Sequence, residues 1–149
     1  MSNGPRVVAS RFIDTNVWLY AFIKGQDPAK SERATQLLSE DVPTILSTQV
    51  VNETCVNLLK KAKVDEATIQ ELVHSFYSKY LVVDLDRPTL LTASTLRERY
   101  SVSYWDSLIM ASALNADAQT LISEDMQDGL VIENQVTIVN PFTPSESNP

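Results

Sequence analysis

The sequence predicts an α/β protein with one domain, an α/β/α sandwich in which helices cover both faces of a parallel central sheet. Short apolar runs alternate with segments whose apolar residues recur at intervals of three and four, the pattern of amphipathic helices. This alternation favours parallel strands, because a helix must cross over the sheet between them. The 149 residues fit one domain with its own hydrophobic core.

The first predicted strand is the apolar run at residues 7–13, and a helix is expected over residues 16–23. Residues 29–40 form the next predicted helix, because their Ala and Leu residues share one side of it. The short apolar segment 43–46 is expected to be a strand.

Ser47 is a typical N-cap residue and is expected to begin a long helix that ends near Lys63. Residues 65–79 form another amphipathic helix with apolar residues three and four apart. In the helix 47–63, the predicted buried stripe consists of apolar side chains about one turn apart. It comprises Val51, Cys55, Leu58, Leu59 and Ala62.

The last part of the chain repeats this alternation. Residues 81–84 are a predicted strand, and a proline at the expected helix start supports a helix over residues 88–100. A helix rich in Ala, Leu and Ile is expected over residues 105–116. Strands are predicted at residues 120–122 and 136–139.

The single domain is assigned to residues 1–149, with a core at about 7–142 and flexible ends at 1–5 and 143–149. The sequence has no stretch resembling a signal peptide or of transmembrane length, so a cytoplasmic protein without membrane contact is expected. Cys55 is the only cysteine, which excludes an internal disulfide and agrees with a reducing compartment.

The net charge of −7 argues against a protein that holds nucleic acid by bulk electrostatic attraction. It does not exclude an enzyme that gathers carboxylates in one pocket and recruits divalent cations to meet phosphate. An acidic surface would also suit a partner protein with basic segments.

Three strand ends or helix starts carry Asp: Asp14, Asp106 and the acidic turn after the strand 120–122. Asp14 directly follows the first strand, where it could equally be a helix N-cap. Asp106 begins a very apolar helix and is therefore expected to be buried with a hydrogen-bond donor or a cation as partner. Glu53 lies inside the helix 47–63, and by itself it would be an ordinary solvated glutamate.

An acidic turn follows the strand 120–122 and contains Glu124, Asp125 and Asp128. For Glu124 a turn residue is the better interpretation. Carboxylates that converge on one sheet edge repel one another and raise some of their pKa values unless a cation neutralises them. Oxygen ligands without His or Cys select Mg²⁺ or Mn²⁺ over zinc.

Other chemistry is poorly supported. There is no phosphate-binding glycine motif for a nucleotide cofactor. His74 is interpreted as structural or surface-exposed, and Cys55 as a small core residue without an activating neighbour. Tyr104 and Trp105 could stack on a nucleic-acid base, but core packing is the favoured role.

Four short segments resemble, in order and spacing, the acidic motifs of PIN domains. They are residues 12–17 (FIDTNV), 49–53 (QVVNE), 104–109 (YWDSLI) and 121–128 (LISEDMQD). The resemblance covers about residues 7–142 and is closest to the single-domain toxins of bacterial toxin–antitoxin pairs, the VapC type. Gly129 departs from the pattern, since many members have an aromatic residue there.

The resemblance implies an endoribonuclease that depends on Mg²⁺ or Mn²⁺, acts on RNA and is inhibited by a cognate antitoxin protein; a homodimer is left open. It also implies the site residues. The metal ligands would be Asp14, Glu53, Asp106 and Asp125, with Asp128 as a substitute for Asp125, and the supporting hydrogen bonders would be Asn16 and Ser123.

Two alternatives remain at this point. The first is another metal-dependent phosphoryl-transfer enzyme, such as a phosphatase, although Asn16 stands where an aspartyl-phosphate enzyme commonly has a second Asp. The second is a PIN-like module that binds RNA or protein without cutting. The presence of all four acidic residues favours the nuclease over this module.

Overall fold

The protein, described by a computed structural model over residues 9–143, folds as an α/β/α sandwich, so the predicted fold class is confirmed. The strands are β1 (Arg11–Ile13), β2 (Thr44–Ser47), β3 (Leu81–Val83), β4 (Thr120–Ile122), β5 (Val131–Ile132) and β6 (Val136–Val139). The α-helices are α1 (Thr15–Phe22), α2 (Pro28–Leu38), α3 (Thr48–Asn57), α4 (Glu66–Lys79), α5 (Arg87–Tyr100) and α6 (Tyr104–Asn115). The predicted start of the first strand at residues 7 and 8 lies outside the described residues, as do residues 1–5 and most of the predicted C-terminal end.

The strand order β3-β2-β1-β4-β6-β5 places β1 at the centre of the sheet. It pairs in parallel with β2 and with β4, and β3 and β6 extend the parallel sheet on either side. At the carboxyl edge, the N–H of Asp14 donates to the carbonyl of Ile122 at 3.0 Å. Asp14 and Ser123, which follow two neighbouring strands, are thereby brought side by side.

The core is built from the apolar central strands and from α6, whose residues are buried without a break from Ser107 to Ala113. Trp18 is 1% exposed, and its indole N–H donates to the carbonyl of Ile13 at 3.0 Å. Its ring packs edge-on against Phe76 and Tyr80, each with ring centres 5.1 Å apart. The indole therefore fixes α1 between the central strand and α4, directly behind Asp14.

The predicted helix 47–63 consists of two parts. Ser47 is its N-cap, as expected, but after Asn57 the helix continues as a π-helical turn, Leu58–Ala62. The predicted buried stripe is partly wrong: Val51 and Leu58 are buried, but Leu59 and Ala62 are exposed. The fully buried side chains are instead Val50 and Thr54.

The two-residue strand β5 was not predicted. It pairs antiparallel with β6 at the edge of the sheet, so the sheet is mostly rather than wholly parallel. Among residues 9–143, none of the helices combines the length and the apolar character that a membrane span requires.

Candidate functional site

A cleft of about 310 Å³ opens at the carboxyl edge of the sheet, beside the ends of β1 and β4. Four carboxylates border it: Asp14, Glu53, Asp106 and Asp125. They come from four separate segments of the sequence, the end of β1, the middle of α3, the first turn of α6 and the turn after β4. The fold thus brings these four predicted site residues to one place.

Asp14 is the most buried of the four and is 8% exposed. It is the N-cap of α1: the N–H of Thr15 donates to its Oδ1 at 2.7 Å, and the hydroxyl of Ser123 donates to its Oδ2 at 2.9 Å. The pKa of Asp14 is raised to about 6: burial is the main cause, the nearby Glu53 and Asp106 carboxylates add to it, and the two hydrogen bonds partly oppose the increase. The N-cap and the candidate ligand are therefore the same side chain.

Glu53 projects from α3 towards the end of β1. Its Oε1 accepts a hydrogen bond from the hydroxyl of Thr15 at 3.0 Å, so it is not a freely solvated helix residue. Its side chain is half-buried. Because Thr15 also donates its backbone N–H to Asp14, one residue holds both carboxylates.

Asp106 lies in the first turn of α6, and its N–H donates to the capping hydroxyl of Ser103 at 3.1 Å. The expectation that it is buried is wrong, because its side chain is partly exposed. The continuous buried run of α6 begins only at Ser107, whereas Asp106 borders the open cleft.

The two candidate ligands in the acidic turn, Asp125 and Asp128, lie in different places. The amide of Asn16 donates to Oδ2 of Asp125 at 2.9 Å, and the N–H of Asp125 donates to the hydroxyl oxygen of Ser123 at 3.3 Å. Asp128 is exposed and does not border the cleft; its Oδ1 accepts the N–H of Asn140 at 2.8 Å. The structure therefore brings Asp125, and not Asp128, to the other carboxylates.

Glu124, interpreted from the sequence as a simple turn residue, has a more specific place. Its Oε1 accepts the hydroxyl of Tyr20 at 2.8 Å, and it forms an ion pair with Lys30. Its backbone N–H donates to the side-chain oxygen of Asn16 at 3.3 Å. These contacts tie the acidic turn to α1 and α2 and fix the position of the neighbouring Asp125.

The donor set of the cleft fits a hard divalent cation, since it consists of carboxylate oxygens without thiol or imidazole. Within residues 9–143, no three acidic, His or Cys side chains already converge as a complete ligand set. The reason lies in their present partners, since Thr15, Asn16 and Ser123 each hold a carboxylate oxygen. Coordination would therefore require small side-chain rotations. Asp14, a buried carboxylate beside two others, is the group that a cation would stabilise most.

Two residues at the cleft were missed or misassigned from the sequence. Lys61, in the π-helical turn, brings a positive charge to the border of the acidic cleft. Regular helical spacing did not indicate this, because eight residues after Glu53 is about 80° beyond two turns of an α-helix, and the π-helical turn changes the face on which Lys61 lies. Trp105 was expected to pack in the core, but its side chain is 62% exposed at the cleft; Tyr104 is also exposed.

Comparison with known proteins gives a consistent result. The PIN domain family model matches residues 11–127, whereas curated protein sequences give no significant match. A toxin–antitoxin complex from Klebsiella pneumoniae is similar in structure with a TM-score of 0.66 and 20% identity, covering 89% of this chain and 98% of that one.

Two further solved structures are similar. VapC20 from Mycobacterium tuberculosis, a sarcin–ricin loop cleaving toxin, has a TM-score of 0.62 and 19% identity over 74% of this chain and 86% of that one. VapBC2 from Rickettsia felis, bound to a promoter DNA fragment, has a TM-score of 0.61 and 20% identity over 88% of this chain and 99% of that one. At such identities the structures show a shared fold. The family model, by contrast, spans most of the sequence and all four carboxylates of the cleft, and the chain therefore belongs to the PIN domain family.

Proposed function

We propose that the protein is an endoribonuclease that uses Mg²⁺ or Mn²⁺ to hydrolyse RNA phosphodiester bonds. The observation that carries the proposal is the meeting of four carboxylates in one cleft of a PIN domain, with Asp14 buried among them. A phosphate diester approaching such a cleft meets negative charge, so cleavage there needs a cation between the carboxylates and the substrate.

The proposed metal ligands are Asp14, Glu53, Asp106 and Asp125. A bound divalent ion would lower the pKa of coordinated water and offset the charge that develops on the phosphate oxygens. The remaining carboxylate oxygens can orient the attacking water and accept its proton, with no histidine required.

Neighbouring side chains supply the rest of the proposed chemistry. Ser123 and Thr15 hold Asp14 and Glu53, and Asn16 holds Asp125, so each of these proposed ligands has a neighbouring hydrogen-bond donor that limits its freedom. Lys61 is positioned to contact a backbone phosphate at the border of the cleft.

We further propose that the protein is the toxin of a type II toxin–antitoxin pair, acting in the cytoplasm and inhibited by a cognate antitoxin. Two kinds of observation support this. The similar structures include toxin–antitoxin complexes that match over nearly their whole length. The net charge of −7 and the open acidic cleft suit a partner segment with basic side chains.

Cleavage of RNA by the purified full chain tests the nuclease. We expect cleavage with Mn²⁺ or Mg²⁺, none in EDTA, and loss of activity in Asp106→Asn, which keeps the side-chain volume but removes a charge. Asp41→Asn is the matched control: Asp41 is exposed and lies three residues before the start of β2, at the opposite edge of the sheet from the cleft. Full activity in EDTA would refute the metal mechanism.

Co-expression with the product of the neighbouring upstream gene tests the toxin proposal. A stable complex with suppressed ribonuclease activity is expected. If cells tolerate the isolated chain well and no neighbouring gene product binds it, the toxin proposal fails while the nuclease proposal stands.

A further inference from the structure

A second cleft, of about 360 Å³, adjoins the carboxylate cleft. Gln49, Glu53 and Trp105 border both, so the two form one continuous groove. A strand whose phosphate lies at the carboxylates therefore has a neighbouring nucleotide beside the second cleft. The remaining border of this second cleft is formed by Thr48, Asn52 and Leu85.

Trp105 is the aromatic residue that borders the second cleft. Its side chain is 62% exposed, whereas the other tryptophan, Trp18, is 1% exposed in the core. Tyr104 packs edge-on against it with ring centres 5.4 Å apart, and the guanidinium of Arg97 lies 4.4 Å from the centre of the Tyr104 ring. The indole of Trp105 thus packs on one side against Tyr104, which is itself in contact with Arg97. A rigid aromatic surface at a groove is well suited to stack on another planar ring.

The charges of the second cleft select the kind of group that enters. Its border includes one carboxylate, Glu53, and no Lys or Arg, so a phosphate would be repelled. Thr48 and Asn52 offer hydroxyl and amide groups instead, which suit the polar edge of a neutral base. A cleft of this size is within the usual range for small planar ligands.

Gln49 adds an independent observation. It is 8% exposed, and its Nε2 donates to the carbonyl of Trp105 at 3.4 Å, which directs its Oε1 away from that carbonyl. Oε1 is itself buried and has no hydrogen-bond partner among residues 9–143. An acceptor left unpaired inside a protein is unfavourable, so a rotation of the Gln49 amide that brings Oε1 to a donor of the ligand, such as the exocyclic amino group of a base, would be stabilising.

We propose that the second cleft is a nucleobase subsite, in which an unpaired base next to the cleaved phosphodiester stacks on Trp105 and presents its polar edge to Gln49 and Asn52. The inference rests on the proposed ribonuclease function and narrows its substrate to RNA with at least one unstacked base at the cleavage site. A base inside a double helix has both faces covered and could not stack on the indole.

The test uses tryptophan emission of the full chain, titrated with short single-stranded RNA oligonucleotides in EDTA and in Mg²⁺, together with cleavage rates. We expect RNA to quench the emission of the wild type but not of Trp105→Phe, since Trp18 is shielded in the core. Trp105→Ala is expected to lower kcat/KM about tenfold, the typical effect of losing one base–aromatic stack. Trp105→Phe should restore most of this loss. Tyr77→Ala is the control, because Tyr77 is 53% exposed on α4 and borders neither cleft.

Oligonucleotides that carry one abasic position identify the base. In the wild type, a single abasic position should reproduce the tenfold loss, and in Trp105→Ala the same position should have no further effect.

Trp105-dependent quenching supports the subsite whether or not the RNA is cut. Cleavage that is equally fast in Trp105→Ala, with no sensitive abasic position, refutes the subsite and leaves the nuclease proposal standing. Absence of both binding and cleavage refutes both proposals. A change of oligomeric state in Trp105→Ala without an effect on RNA would show a protein interface and also refute the subsite.

Discussion

Replacement of Asp14 by Asn should stabilise the metal-free protein at neutral pH while abolishing its activity. The pKa of Asp14 is raised from 3.8 to about 6 in the folded chain, first by burial and then by the neighbouring carboxylates. The folded state therefore binds this proton more tightly than the unfolded state does. The contribution of Asp14 to stability is fully present below about pH 4, declines as the pH rises towards 6 and is lost above it.

The size of the effect follows from the pKa shift. A shift of about two units corresponds to about 3 kcal/mol of unfolding free energy, at about 1.4 kcal/mol per unit. Asn has nearly the same shape and carries no charge to bury. Its side chain can still accept the N–H of Thr15 and exchange a hydrogen bond with Ser123, so most of the local contacts are retained.

Urea denaturation of metal-free wild type and Asp14→Asn, measured from pH 4 to pH 8, gives the comparison. The difference in unfolding free energy should move in favour of the variant by up to about 3 kcal/mol over this range. Asp41→Asn, at an exposed position, provides the baseline for loss of one charge. Mn²⁺ should stabilise the wild type but not Asp14→Asn, because the ion binds the folded state through that carboxylate. A difference that stays constant across the pH range would show that Asp14 is not penalised by its burial.

The remaining predictions concern other residues of the cleft. Asp125→Ala should lose far more ribonuclease activity than Asp128→Ala, because only Asp125 borders the cleft; equal losses would contradict this placement. Lys61→Ala should weaken RNA binding to the same extent for all RNA sequences. It should also lower the slope of log affinity against log salt concentration by about one, because one fewer counterion is released; binding titrations at several salt concentrations would measure this slope. Tyr20→Phe removes the 2.8 Å hydrogen bond to Glu124 and should weaken Mn²⁺ binding severalfold, without a change in KM for RNA once Mn²⁺ is saturating; calorimetric titration checks the metal affinity.

Much of the fold could be predicted because the relevant interactions are local in sequence. The predicted strands 120–122 and 136–139 have the bounds found in the structure. Ser47 begins its helix as expected from its side chain, which accepts the N–H of Val50. Apolar periodicity and capping residues are properties of a few neighbouring positions, and they survive tertiary packing when the segment has one clearly apolar face.

The buried stripe of α3 could not be predicted in the same way, for two physical reasons. Thr54 is a polar residue but is fully buried, so a hydropathy pattern places it on the exposed face of the helix. The π-helical turn Leu58–Ala62 then changes the number of residues per turn, so that side chains after Leu58 leave the face predicted from a regular helix. Leu59 and Ala62 are exposed as a result.

The segment after the acidic turn also depends on tertiary pairing. β5 has only two residues, and its partner is β6, which lies beyond a tight turn. Gly129 has a φ of +87°, and its N–H donates to the carbonyl of Ile138 at 2.8 Å. A side chain would be strained in that conformation, which favours glycine at this position.

In the candidate site, each residue taken alone was weak evidence for a functional site, and the convergence of several carboxylates was stronger evidence. Asp14 serves as an N-cap, as the ordinary interpretation expected, and the same side chain borders the cleft. Glu53 looked like a solvated helix residue because its partner, Thr15, is 38 positions away and invisible to any local pattern. The exposure of Trp105 was predicted wrongly because an aromatic residue at an apolar helix start usually packs inward.

The acidic character of the protein, finally, makes metal and RNA binding interdependent. With a net charge of −7 and four carboxylates in the cleft, the metal-free protein repels a phosphate backbone, and Lys61 offsets only one of these charges. A divalent ion removes part of this repulsion, so each ligand should raise the affinity for the other by the same factor. Stopped-flow quenching of tryptophan emission, recorded before cleavage proceeds, measures RNA affinity at increasing Mg²⁺, and calorimetry measures Mg²⁺ affinity with and without RNA. The coupling free energy between the two ligands is expected to be about 1–3 kcal/mol, the typical range for two linked sites, which corresponds to a change of roughly 5- to 150-fold in each affinity. If RNA affinity is independent of Mg²⁺, the phosphate does not approach the carboxylates, and the substrate must bind elsewhere on the domain.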